Sequence, residues 1–238
     1  WNTSYRLSEG ATSSLETLII TQPSGSNLYM SAEQWLSFTE IQNSPDNAWD
    51  DYLKILITGS LEDFNVSNFV GERLQEFTFY GSFGDIDLTH DSLSIREWIY
   101  NRANFENLIL GDQDAQVYIS EDSDYSVIAG DGDHLIKHGR GGTLQASIDG
   151  GAGDDTFDVS ETGFINLTGT TLENIETVYF GNATIVLTDE QFSSWTLEGS
   201  GAIYTSADGI ITGSNGNDSF NGDIRDLFEG GAGDDSIN

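Results

Sequence analysis

The chain has no cysteine among its 238 residues. That excludes a disulfide framework, a thiol nucleophile and a thiolate metal site. Basic residues are scarce: 8 Lys and Arg face 40 Asp and Glu, a formal net charge of −32. With no basic stripe to release counterions from phosphate, nucleic acid is a poor partner. Anionic membrane surfaces are disfavoured on the same electrostatic ground. No run of ~18 apolar residues occurs, so no membrane insertion is expected. Short enzyme signatures are missing too. There is no G-x-S-x-G elbow, no H-E-x-x-H zinc helix and no Walker loop. The expectation is a non-enzyme with no catalytic residues.

What is present resists the disorder that so acidic a composition would suggest. The chain carries 5 Trp, 9 Tyr and 13 Phe, too many aromatics for a solvated tail. A surplus of negative charge repels itself unless counterions neutralise it, and divalent cations are the natural ones. At this length the chain can bury a core as one large domain or two small ones.

Three nonapeptides dominate the second half. They read Gly150-Gly151-Ala152-Gly153-Asp154-Asp155-Thr156-Phe157-Asp158, Gly213-Ser214-Asn215-Gly216-Asn217-Asp218-Ser219-Phe220-Asn221 and Gly230-Gly231-Ala232-Gly233-Asp234-Asp235-Ser236-Ile237-Asn238. They fit G-G-x-G-x-D-x-U-x, with U a large apolar residue and with Ser214 for the second glycine of the middle copy. On these three motifs the chain resembles the RTX family of secreted bacterial calcium-binding proteins.

The resemblance implies a parallel β-helix or β-roll. The first six residues would turn on glycines that accept positive φ. Their backbone carbonyls and the sixth-position carboxylate would then face a cation. Calcium takes six to eight oxygens in flexible geometry, and stacked turns can supply them. The implied cofactor is therefore Ca2+, several ions of it. The implied ligand residues are Gly150, Gly151, Gly153 and Asp155, then Gly213, Gly216 and Asp218, then Gly230, Gly231, Gly233 and Asp235. Phe157, Phe220 and Ile237 would fill the inward apolar slot. Two nonapeptides make a coil of ~18 residues in this repeat, and Gly213 and Gly230 lie close to that spacing. Gly222–Glu229 reads as the intervening half-coil, with Phe228 in the apolar slot.

Weaker copies precede Gly150. Gly141–Asp149 keeps the double glycine but has Ala146 for aspartate. Ala129–Lys137 has His134 in that position, although Asp131 and Asp133 remain possible ligands. These coils read either as metal-free turns or as further calcium turns. His134 and His138 are spaced i, i+4, but glycine-rich turns flank them and a zinc helix is not expected there.

The first half has its own repeat. A block U-[E/Q]-x-U-x-U occurs at Leu15–Ile20, Leu74–Phe79, Phe105–Leu110 and Ile175–Phe180. Each is followed by U-x-U-[S/T], at Leu28–Ser31, Ile86–Thr89, Val117–Ser120 and Ile185–Thr188. Alternation at period two predicts strands. Ser31 with Gln34 and Thr188 with Gln191 match the capping box, so short helices should start there. They would carry Trp35, and Phe192 with Trp195, against the strands as core rather than as a sugar platform. A longer helix is expected from Ser94, capped by Glu97, through Trp98, Ile99 and Tyr100. Another is expected from Ser44-Pro45 through Trp49 and Tyr52. Asn2, Asn65, Asn166, Asn182 and Asn217 head N-x-S/T triplets, read as accidental in a bacterial protein.

The fold expected is therefore mostly β: a parallel β-helix or β-roll solenoid with short helices inserted in the N-terminal part. Residues 1–125 form a helix-decorated β-repeat part, and residues 126–238 a calcium-binding roll continuous with it. Trp1 and Asn238 both read as cuts from something longer. The function expected is an extracellular structural protein of a bacterial surface layer, filament or matrix, exported by type I secretion, with calcium-dependent folding and assembly. Its partners would be other copies or further coils of the same protein, with cell-surface polysaccharide a possible ligand. Two alternatives stand beside it: the carrier region of a secreted hydrolase or toxin, and a ligand-binding adhesin module.

Overall fold

In the computed structural model the chain winds into a parallel β-solenoid of about seven turns. The residues described are 4–6, 17–20, 27–43, 54–70, 73–89, 94–120, 124–201, 203–205, 210–212, 219–220, 227–229 and 236–237. Every strand pair among them is parallel. Strands inside the sheets pair with one strand from the coil before and one from the coil after. Parallel pairing leaves the connections to travel round the body, and that is what makes a solenoid rather than a hairpin stack.

The fifteen-residue strand Arg73–Asp87 is the branching point. Its first part pairs with Ser94–Asn104, and its end pairs with Asn107–Ile109. From there one sheet divides into two faces. The first face runs through Asn107–Ile109, Tyr125–Ile128, Ala146–Asp149 and Thr171–Glu173. The second runs through Gln116–Ile119, Leu135–His138, Thr156–Asp158, Thr177–Gly181 and Leu197–Gly199. A separate six-stranded sheet forms the third face, from Gly142–Thr143 to Ser236–Ile237. The sheet crosses residue 125 without a break, because Tyr125–Ile128 pairs with strands on both sides.

Alternation places the U residues inside. Val117, Ile136, Phe157 and Val178 follow one another in register on the second face, all essentially fully buried. The expected half-coil appears as well: Ile211 pairs with Phe228, and Phe220 pairs with Ile237, seventeen residues on. Coil length varies widely elsewhere. Ile99 pairs with Val117, eighteen residues away, whereas Leu28 pairs with Ile55, twenty-seven away. The surplus lies in the arcs between strands, so the register of the core is kept. Gly59 and Gly81 stack at one bend with φ of +139° and +128°. A Cβ on Gly81 would collide with the Gly59 carbonyl, so this bend requires glycine.

Both capping boxes form. In α1 (Ala32–Ser37) the Ser31 hydroxyl accepts from Gln34 N, and the Gln34 side chain accepts from Ser31 N. In α2 (Asp189–Ser194) Thr188 and Gln191 do the same. Gln191 goes further: its Nε2 donates to the carbonyls of Leu167 and Thr170, each at 2.8 Å. That ties the helix to the preceding coil. Gln191→Ala should therefore cost about 1–2 kcal/mol, read as a lower urea midpoint. Glu190→Ala, on the exposed side, should leave the midpoint within error.

Two helix expectations come out differently. Ser94–Asn104 is a strand, not a helix. Pairing with Arg73–Asp87 on one side and Gln116–Ile119 on the other overrides the local capping pattern. The expected helix from Ser44-Pro45 lies outside the described residues. Trp35 is wholly buried, and Trp195 is half-buried against the core. The triplets at Asn65 and Asn166 serve as turns, since the Asn Oδ1 accepts from the backbone and hydroxyl of Ser67 and Thr168 respectively.

A row of stacked glycine and aspartate turns

The corner between the first and second faces is built from one turn per coil. These turns are 110–115, 129–134, 150–155 and 174–176, and the flanking strand registers stack them directly. The first three turns have the same parts, one or more glycines and then acids before the next strand, whereas the fourth, Asn174-Ile175-Glu176, keeps only the acid. Gly151 and Gly153 adopt φ of +84° and +134°. A Cβ on Gly151 would strike the Gly130 carbonyl, so the turns approach more closely than other residues allow. Ala152 N donates to Gly130 O at 3.1 Å, continuing the backbone ladder through the corner.

Carboxylates form a second ladder beside it. Asp112 Oδ1 accepts from Asp131 N at 3.3 Å, and Asp114 Oδ1 from Asp133 N at 3.0 Å. Asp133 Oδ1 accepts from Asp154 N at 2.9 Å. From above, the direction reverses. Asp155 Oδ1 accepts from His134 N at 2.7 Å, and Glu176 Oε2 from Asp155 N at 2.7 Å. Acids from both directions therefore meet at the level of turns 129–134 and 150–155.

Asp155 is the unusual member. It is fully buried, and its Oδ2 has no hydrogen-bond partner. Burial pushes its carboxyl up to about 6 from an ordinary 3.8. The backbone hydrogen bond from His134 opposes this, while Glu176, Asp133 and Asp154 add to it. A desolvated carboxylate with one oxygen unmatched is costly unless a cation or proton meets it.

His134 is equally enclosed, at 2% exposure, and neither ring nitrogen has a partner. Burial lowers its imidazole, against the pull of the Asp114, Asp133 and Asp112 carboxylates. His138 lies on the same inward side of the strand Leu135–His138, where Tyr125 Oη and its Nδ1 are 3.3 Å apart. In a strand, residues four apart are separated by ~13 Å. The two histidines therefore cannot share an ion.

The structure brings Gly150, Gly151, Gly153 and Asp155 together with Asp131 and Asp133 across adjacent coils. Gly213, Gly216, Asp218, Gly230, Gly231, Gly233 and Asp235 lie outside the described residues. The strands that follow those turns, Ser219–Phe220 and Ser236–Ile237, do pair in register. The Gly141–Asp149 copy turns at a different corner, between the third and first faces, and takes no part in this row. The sequence reading missed Asp112, Asp114 and Glu176. A signal existed for the first two: Gly111-Asp112-Gln113-Asp114 repeats the spacing of Gly130-Asp131-Gly132-Asp133.

Among the described residues no three His, Asp or Glu side chains converge as a ready metal cage. The row offers something different, single carboxylates layered with backbone carbonyls. That donor set is oxygen-rich and suits calcium, which takes carbonyl ligands readily. No helix among the described residues is long and apolar enough to cross a membrane. No protein-family model matches the chain, and neither a curated protein nor a solved structure matches it.

Proposed function

We propose that this β-solenoid is an extracellular structural protein whose turn row binds calcium, so that folding is linked to the ion. The single observation that carries this reading is the buried, half-satisfied carboxylate of Asp155 at the level where acids from both directions meet. Asp155, Asp133, Asp131 and the carbonyls of the stacked glycines would hold calcium there. The ion would supply positive charge to a chain of net charge −32. In this proposal the unneutralised chain remains loose where calcium is scarce, and millimolar calcium outside the cell orders it by binding the native state alone. A bacterial surface layer, filament or matrix is the setting proposed, with other copies or further coils as partners and with no catalytic centre of its own.

Circular dichroism and hydrogen exchange with EDTA, then with calcium, test the central claim. Calcium should raise the β signal and protect amides in residues 110–176 most strongly. Magnesium should do so poorly, because it demands octahedral geometry and retains its waters. Identical protection in EDTA and in calcium would overturn the reading.

A further inference from the structure

The level below the proposed calcium layer differs in chemistry. Between turns 110–115 and 129–134 the sixth position holds Ala115 and then His134, with no aspartate. Ala115 is small and buried. His134 is stacked in register on Ala115, and its two ring nitrogens are buried with no partner. A buried polar atom without a partner costs roughly 1–3 kcal/mol. Histidine carries two such atoms here, where Leu or Phe would have filled the same space without that cost.

The surrounding donors are specific. The carboxylates of Asp112, Asp114 and Asp133 are the charges whose field this ring feels. Each uses one oxygen to accept from a backbone N–H of the next coil. All three residues are exposed, so their side chains can rotate toward an arriving ion. The carbonyls of Gly111 and Asp112 lie close under Gly130 and Gly132. One imidazole with one carboxylate and a carbonyl is a poor calcium site. It is a donor set that borderline divalent ions such as Zn2+ or Co2+ accept.

We propose that the layer formed by turns 110–115 and 129–134 is a separate metal site, in which His134 with Asp112 or Asp114 binds a borderline divalent cation of the Zn2+ class in preference to calcium. This goes beyond the calcium reading and does not depend on it, because its nitrogen donor is one that calcium does not seek. The solenoid would then carry two kinds of ion in adjacent layers of one row.

The experiment is a calorimetric titration of the full chain with Zn2+ in saturating calcium, repeated with Co2+ while recording its visible absorption. A single high-affinity ion is expected. His134→Gln should weaken it by roughly ten- to a hundredfold and leave the calcium response intact. His134→Asp should lose Zn2+ affinity to the same degree and gain a calcium ion. Zn2+ binding unchanged in His134→Gln, or Zn2+ displaced by millimolar calcium, would overturn the proposal. Should the variants fail to fold, imidazole nitrogen NMR of the unaltered chain decides. Zn2+ should move the His134 ring nitrogens and not those of His90 or His138, and a stationary His134 ring would refute the site.

Discussion

Replacing Asp155 with Asn should have opposite consequences with and without calcium. In EDTA the variant should be as stable as the parent or more so, because a neutral amide removes the cost of a desolvated carboxylate. In saturating calcium it should lose most of the ion-linked gain. That gain is about 2.7 kcal/mol at a hundredfold excess over the dissociation constant. The pH dependence follows from the same group. The folded carboxyl titrates at about 6 against 3.8 ordinarily. Between those values the native state holds a proton that the unfolded chain has released. The metal-free parent should therefore lose stability as pH rises from ~4 through ~6 and then level off. With calcium the competition runs the other way, and apparent affinity should fall as pH drops below ~6. Thermal melts at several pH values, with and without calcium, read both trends. A parent and Asp155→Asn pair with parallel pH profiles would remove Asp155 from the site.

Trp35→Ala should be the most damaging single change in the first half, at about 3–5 kcal/mol. The indole is fully buried, with ring centroids 5.9, 6.1 and 5.4 Å from Phe64, Phe69 and Phe77. Its Nε1 donates to Asn65 O at 3.0 Å, closing the coil that α1 begins. Trp35→Phe keeps the packing and orphans that carbonyl, so about 1–2 kcal/mol is expected. Because coils touch only their neighbours, the damage should stay local. Hydrogen exchange should rise in Lys54–Asn65 and Arg73–Asp87 while Thr156–Asp158 and Thr177–Gly181 remain protected. Uniform loss across the chain would mean that the solenoid unfolds as one cooperative unit.

Most of the architecture could be read in the sequence because it depends on local devices. The U-x-U blocks put Val117, Ile119, Ile185 and Leu187 inside, and the Ser31 and Thr188 caps start helices where the spacing places them. Ser94–Asn104 was illegible for a physical reason. Among its described side chains the inward ones are Ile99, Asn101 and Ala103, all buried, and only one of these three is large and apolar. The alternation was therefore masked, while Ser94 and Glu97 imitated a helix start. Asn101 is half satisfied inside: its own Oδ1 accepts from Ala103 N at 2.9 Å, while its buried Nδ2 has no partner. The candidate site was half legible. Gly150, Gly151, Gly153 and Asp155 declare themselves by repeat, and Asp131 and Asp133 by resemblance to it. Which turns share a row depends on arc lengths that vary from coil to coil. No local pattern tells that the Gly141 turn falls at another corner, or that Glu176 reaches back to Asp155.

The unequal arcs also bear on how the molecule would carry a load. Every sheet hydrogen bond runs from coil to coil, along the stacking axis. Tension on that axis is borne by one rung of strands at a time, and each rung that gives way frees one whole coil. Coils of seventeen to twenty-seven residues release roughly 60 to 90 Å of slack apiece. The chain is thus a series of breakable links of graded length. An ion spanning two turns would clamp its own link and leave the others to yield first.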